Sequence, residues 1–186
     1  MNIPNSLTLL RILLIPVFVL VFYLPFGWAN EAATAIFALA AGTDWLDGYL
    51  ARQLNQTSAF GAFLDPVADK LMVAVALVLL VQADPRIWLA IPAAVIIGRE
   101  ITISALREWM AEIGKSTTVK VAYIGKIKTT AQMAAIILML YADPLLGLPI
   151  TLIGHVLLYV AAVLTLWSMV AYLKAAWPSL WPKPGG

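Results

Sequence analysis

Residues 44–52 of the chain read DWLDGYLAR, and residues 61–69 read GAFLDPVAD. Both stretches belong to long apolar segments, although a charged side chain inside a membrane span costs at least about 2.5 to 3.5 kcal/mol on insertion scales. The four aspartates therefore need a compensating partner. They are the first candidates for a functional site: Asp44, Asp47, Asp65 and Asp69.

The composition around these stretches is that of a membrane protein. Hydrophobic residues make up 62% and charged residues 12% of the 186 residues, and the mean hydropathy is +0.91. At about 20 residues per crossing, such a chain supplies roughly six spans. Turn-forming residues separate apolar segments that we predict at 7–25, 30–53, 59–82, 86–111, 122–142 and 149–175.

We therefore predict an all-α integral membrane protein with six transmembrane helices. Residues 1–177 are expected to form a single membrane-embedded domain, and the proline-rich residues 178–186 a C-terminal tail. Absence of cysteine excludes disulfides and thiolate metal sites, and the lone His155 cannot build a histidine metal site. A net charge of +2 without a basic run argues against nucleic-acid binding.

Lysine and arginine predict the orientation, because cytoplasmic flanks of membrane proteins carry the positive excess. If both termini face the cytoplasm, the outer connections contain only Arg86. The cytoplasmic side then contains Arg11, Arg52, Lys115, Lys120, Lys126, Lys128, Lys174 and Lys183. Both termini on one side also fits an even number of spans.

The spacing of the aspartates predicts one cluster. Residues three and four apart share a helix face, which aligns Asp44 with Asp47, and Asp65 with Asp69. Asp47 and Asp65 each lie about eight residues, roughly 12 Å, from the intervening turn, so antiparallel neighbours would meet at matching depth. Oxygen ligands without His or Cys favour Mg²⁺ or Mn²⁺. Alternatively, the aspartates only neutralise basic residues such as Arg52.

The spacing Asp-x2-Asp-Gly-x2-Ala-Arg-x8-Gly-x3-Asp-x3-Asp resembles the signature of the CDP-alcohol phosphatidyltransferase family. Its eight fixed positions are all matched here, by Asp44, Asp47, Gly48, Ala51, Arg52, Gly61, Asp65 and Asp69. The resemblance implies a six-helix membrane enzyme, usually a homodimer, whose cytoplasm-facing cavity binds two divalent cations and a CDP-linked lipid.

The same resemblance implies roles for the matching residues. The four aspartates would hold the metal ions, and Asp69 would also be the general base. Gly48, Arg52 and Gly61 match family positions that surround the cytidine diphosphate.

Outside the signature, residues 2–11, 98–100, 104–109 and 125–132 are similar to the bacterial members that make phosphatidylglycerophosphate. The resemblance thus implies that CDP-diacylglycerol reacts with sn-glycerol 3-phosphate, releasing CMP, at the bacterial cytoplasmic membrane. Near the N-terminus, Asn5, Thr8 and Arg11 are candidates for contacting the CDP-lipid. The alternative for these three residues is simple capping of the first helix.

A glycerol phosphate acceptor is an anion and needs cations distinct from those used on the donor. Our candidates are Arg99, Arg107 and Lys126. Arg99 lies well inside the fourth predicted span, where an unpaired guanidinium is costly, and Arg107 follows eight residues later on about the same face. Alternatively, Arg99 pairs with Glu100, and Arg107 belongs to a solvated helix end.

Two other functions fit parts of the pattern. The same signature would serve an enzyme with another acceptor, such as serine, inositol phosphate or phosphatidylglycerol. Intramembrane aspartates also occur in cation transporters, but these often carry repeats and broken helices, and here the acidic residues cluster in one adjacent helix pair.

Overall fold

The structure is a computed structural model that describes the backbone of residues 3–53, 59–114, 122–144 and 147–180. Side chains are described over the same ranges except at residues 3–4, 44–53, 59–60, 62, 122–124, 126 and 178–180. The long elements of this part of the chain are α1 (Ile3–Phe22), α2 (Ala29–Gln53), α3 (Ala59–Ala83), α4 (Ile87–Glu112), α5 (Ala122–Tyr141) and α6 (Ile150–Leu180). The predicted all-α fold of six helices is confirmed.

Two helices differ from the predicted segments at their ends. The first helix begins at Ile3 rather than at residue 7, because Pro4 falls in the first turn, where a missing backbone N–H costs nothing. It ends at Phe22, three residues before Pro25. The last helix continues to Leu180 instead of ending at 175. The boundary between a domain ending at 177 and a tail stays a prediction.

Apolar side chains from all six described helices meet in the centre of the bundle. The largest fully buried members of this core are Phe18, Phe37, Leu77, Ile96, Ile136 and Leu158. Helices α5 and α6 approach each other closely at Gly154, where an added Cβ would lie 2.6 Å from Met139 Cγ and 3.1 Å from the Ala135 carbonyl oxygen. A glycine here lets the two backbones pack together.

The outer surface is apolar as well, which is what a lipid environment requires. Leu20, Ile87 and Trp167 expose between 68% and 70% of their surface. Within the described residues, three helices are long and apolar enough to cross a membrane, over Asn5–Phe22, Ile87–Glu112 and Ile150–Trp177. The protein is therefore a membrane protein, as predicted from its composition.

Short connections make successive helices run in opposite directions, which sorts the helix ends into two groups. We call one group the polar end; it contains the beginnings of α1, α3 and α5 and the last turns of α2, α4 and α6. The opposite end contains the described connecting residues 23–28, 84–86, 142–144 and 147–149. The candidate residues named above lie in the half of each helix nearest the polar end, except Arg99, which is at the middle of α4.

Candidate active site

Helix α1 packs against α3 and brings two polar side chains to two of the aspartates. The Thr8 hydroxyl donates a hydrogen bond to Oδ1 of Asp65, and Nη1 of Arg11 donates one to Oδ1 of Asp69. Thr8 and Arg11 are buried, while the Asp69 side chain stays 34% exposed. Each aspartate is thus held from one side and accessible from another.

The sequence left two interpretations of the N-terminal polar residues, contact with the CDP-lipid or capping of the first helix, and these contacts test the second. Thr8 and Arg11 lie more than one turn inside α1, so they do not cap it, and their side chains reach across to α3. Asn5 stands nearer the start of the same helix, and Gly61 lies buried near the start of α3.

The other half of the signature lies on α2, near its last turns. Helix α2 packs against both α1 and α3, and its backbone includes Asp44, Asp47, Gly48 and Arg52. The side chains of these residues lie outside the described ones. The predicted convergence of four carboxylates therefore stays a prediction. Where side chains are described, no group of three His, Cys, Asp or Glu residues is placed to hold a metal ion.

The described pair nevertheless has the chemistry that a divalent cation needs. Asp65 and Asp69 are four residues apart and present carboxylate oxygens from one face of α3. Both side chains are partly exposed, and α2, which carries the other two aspartates of the signature, is a direct neighbour of α3. Carboxylate oxygens are the preferred ligands of Mg²⁺ and Mn²⁺.

A second polar cluster joins α4, α5 and α6, centred on Glu100. Its Oε1 accepts hydrogen bonds from Nζ of Lys128 and, at 3.1 Å, from Nη1 of Arg99. Nη2 of Arg99 donates to Oγ of Ser168 at 2.8 Å. The side chains of Arg99 and Lys128 are only 9% and 7% exposed. The pairing of Arg99 with Glu100, one of the sequence-based alternatives, is present.

Arg107 lies on the same side of α4 as Arg99, as the eight-residue spacing predicts. Its Nη2 donates to the hydroxyl of Tyr172, and its guanidinium carbon lies 4.8 Å from the centre of the Tyr172 ring. The guanidinium carbon of Arg99 lies 5.9 Å from that ring. One tyrosine therefore contacts both arginines. Lys126, the third candidate, is on α5, and its side chain lies outside the described residues.

The two clusters are connected through α3 and α4. Nζ of Lys70, the residue after Asp69, donates to Oγ of Ser104, which in turn donates to the backbone carbonyl of Glu100 at 2.6 Å. Lys70, Arg99 and Lys128 together outnumber the single carboxylate of Glu100. This part of the polar end is therefore net positive and suits an anionic ligand.

Sequence reasoning missed four residues of the second cluster as site residues: Glu100, Ser104, Ser168 and Tyr172. Glu100 carried a usable signal, since a carboxylate inside an apolar span needs a cation. Ser168 and Tyr172 carried little, because serine and tyrosine are common in membrane helices. Their place beside the arginines depends on how α6 packs against α4.

The opposite end contains one ion pair, between two residues of the connection from α3 to α4. Nε and Nη2 of Arg86 donate to the two carboxylate oxygens of Asp84, and this hydrogen bonding lowers the pKa of Asp84 and raises the pKa of Arg86. His155 lies near this pair, with Nε2 4.0 Å from Oδ2 of Asp84. Among the described residues of this end, no polar cluster comparable to the two at the polar end is present.

Comparison with known proteins shows to which family the chain belongs. A relative from Pseudomonas fluorescens is 59% identical over 181 residues, covering 97% of this chain and 92% of the relative. Relatives from Yersinia enterocolitica and Shigella flexneri are 58% and 57% identical, covering 97% and 94% of both chains respectively. All three are named CDP-diacylglycerol–glycerol-3-phosphate 3-phosphatidyltransferase. The model of the CDP-alcohol phosphatidyltransferase family matches residues 1–167. The chain therefore belongs to the CDP-alcohol phosphatidyltransferase family.

Proposed function

We propose that the protein transfers the phosphatidyl group of CDP-diacylglycerol to sn-glycerol 3-phosphate, giving phosphatidylglycerophosphate and CMP. The observation that carries the proposal is an identity of 57% to 59%, over almost the whole chain, with relatives that share the name of that activity. The two clusters at the polar end support it, since one offers carboxylates and the other an excess of cations.

The reaction needs one bond to form and one to break. A hydroxyl oxygen of glycerol 3-phosphate attacks the phosphorus that carries the diacylglycerol, and the bond from that phosphorus to the oxygen of CMP breaks. CMP leaves with the electron pair. The proton of the attacking hydroxyl passes to a carboxylate oxygen of Asp69, which acts as general base. Arg11 holds that carboxylate in one orientation from the buried side.

Asp44, Asp47, Asp65 and Asp69 would hold two divalent cations, Mg²⁺ or Mn²⁺. When bound, these ions supply positive charge that polarises the diphosphate and stabilises the departing CMP. Around them, the proposed contacts to the CDP-lipid come from Asn5, Thr8, Arg11, Gly48, Arg52 and Gly61. The hydrogen bond from Thr8 to Asp65 supports this grouping, because it places the start of α1 beside the aspartates.

Arg99, Arg107 and Lys126 are proposed to bind the phosphate of the acceptor. Two observations on Arg99 support this. Its side chain is nearly buried, and its buried Nε has no hydrogen-bond partner among the described residues, which leaves a donor that a bound anion would satisfy. Arg107 is more exposed and lies nearer the end of α4 on the same face.

We also propose a membrane orientation, a cellular location and an oligomeric state for the enzyme. Both termini and the polar end would face the cytoplasm of a bacterium, where water-soluble glycerol 3-phosphate is available, and the acyl chains of CDP-diacylglycerol would stay in the lipid. The excess of lysine and arginine at the polar end supports this orientation. A homodimer, which the family resemblance implies, belongs to the same proposal and is tested by cross-linking in native membranes.

The decisive experiment measures CMP release by the purified protein from CDP-diacylglycerol with glycerol 3-phosphate, serine, inositol phosphate or phosphatidylglycerol as acceptor. We expect release with glycerol 3-phosphate, its loss in EDTA and its return when Mg²⁺ is added. Preference for another acceptor would contradict the substrate assignment. Activity that survives complete chelation would contradict the metal site, and cation flux into sealed vesicles without CMP release would favour a transporter.

A further inference from the structure

Two residues of α6 contact the arginines that we assign to the acceptor. Ser168 and Tyr172 are four residues apart, so they share one face of α6. That face packs against α4, where Arg99 and Arg107 point toward it. Ser168 and Tyr172 lie beyond the family match, which ends at residue 167.

Each contact has a defined direction. The Ser168 hydroxyl donates its proton to the Thr165 carbonyl at 2.9 Å, so its lone pairs remain for Nη2 of Arg99. The Tyr172 hydroxyl accepts from Arg107, and its ring contacts both guanidinium groups. A hydroxyl and an aromatic ring thus fix the plane of each guanidinium, which sets where its remaining N–H groups point.

We propose that Ser168 and Tyr172 are positioning residues for the acceptor phosphate: they hold Arg99 and Arg107 in the orientation that receives it. The inference rests on the proposed function, because it takes these arginines as the phosphate ligands. Neither residue carries a net charge, so replacing it leaves the net charge of the site unchanged. Any loss of acceptor binding would then come from the lost orientation.

The best variants remove one hydrogen bond and little else. Tyr172→Phe keeps the ring beside both arginines and removes only the hydroxyl, and Ser168→Ala removes the acceptor of Arg99. Tyr159→Phe serves as the matched control, because Tyr159 is on the same helix with 43% exposure and lies toward the opposite end.

The measurement is the KM of the purified full-length protein for each substrate, by CMP release. We expect each variant to raise the KM for glycerol 3-phosphate about tenfold, the size that corresponds to one hydrogen bond to a charged group. The KM for CDP-diacylglycerol should change less than about twofold and kcat less than about threefold. Tyr159→Phe should match the wild type.

Other outcomes would overturn the inference. An unchanged KM for glycerol 3-phosphate would contradict the positioning role while leaving the proposed function intact. A lower melting temperature with equal effects on both substrates would show that α6 only packs against α4. A wild-type protein that prefers an acceptor without a phosphomonoester, such as serine, would overturn the proposed function and this inference together.

Discussion

The two ends of the bundle contain different kinds of interaction. At the polar end, five helices exchange hydrogen bonds between charged or hydroxyl side chains, and two nearly buried cations share the carboxylate of Glu100. At the opposite end, helix packing dominates, with the close approach at Gly154 and one exposed ion pair between Asp84 and Arg86. Burying charged side chains is costly, so their concentration at one end indicates that the functional site lies there.

The largest effect is expected from Asp69→Asn, which removes the proposed general base and one metal ligand while keeping the shape of the side chain. CMP release should fall on the order of 10²- to 10⁴-fold. The protein should remain folded with a lowered melting temperature, because the buried Arg11 loses its anionic partner but keeps an oxygen that accepts its hydrogen bond. Asp84→Asn, a matched change at the opposite end, should keep activity within about twofold. Comparable losses in the two variants would remove the distinction between the ends.

Glu100→Gln tests whether charge stabilises the polar end. The change leaves Arg99 and Lys128 nearly buried without their anion, and we expect a loss of about 2–4 kcal/mol in the free energy of unfolding. Thermal unfolding in detergent measures it. Glu108→Gln on the exposed side of the same helix should stay within about 0.5 kcal/mol. A Glu100 variant as stable as this control would show that the cations find other partners.

Gly154→Ala tests packing toward the opposite end. The added methyl would lie 2.6 Å from Met139 Cγ, which can move, and 3.1 Å from a backbone oxygen of Ala135, which moves less readily. We expect a loss of about 1–2 kcal/mol in the same unfolding assay. Gly42→Ala in α2, where nothing lies within 4 Å of the new methyl, should be neutral or slightly stabilising. Similar behaviour of the two variants would mean that α5 and α6 can separate without cost.

The smallest effect concerns the ion pair of Asp84 and Arg86. Because the folded protein lowers the pKa of Asp84, the pair contributes stability above the pKa of an unfolded aspartate, about 3.9. That stability is lost as the pH falls through the lower folded value. Arg86→Gln should therefore melt slightly below the wild type at pH 7, and the two melting temperatures should converge in acid. A difference that persists in acid would indicate packing rather than charge.

The fold was largely predictable because a bilayer requires long apolar helices, and the breaks between them contain ordinary turn residues. The ends of helices were less predictable. The first helix begins before its predicted start at residue 7, because Pro4 is accommodated in the first turn of α1, and α6 continues past its predicted end to Leu180.

The spacing of residues along the chain predicted which site residues share a helix face. It did not predict which residues of different helices are in contact. Asp65 and Asp69 share a helix face by their spacing alone. Their contacts with Thr8 and Arg11 join residues 57 and 58 positions apart, and these depend on the packing of α1 against α3. Tyr172 could not be found from the sequence, because its neighbours Arg99 and Arg107 belong to another helix.

The contact between Arg11 and Asp69 also bears on how the chain is made. Arg11 leaves the ribosome 58 residues before its partner, so α1 enters the bilayer while its guanidinium has no carboxylate from α3. A lone arginine in hydrocarbon costs at least about 2.5–3.5 kcal/mol. The hydrogen bond between Arg11 and Asp69 can form only after the third helix has been synthesised, which couples the final packing of α1 to the synthesis of α3.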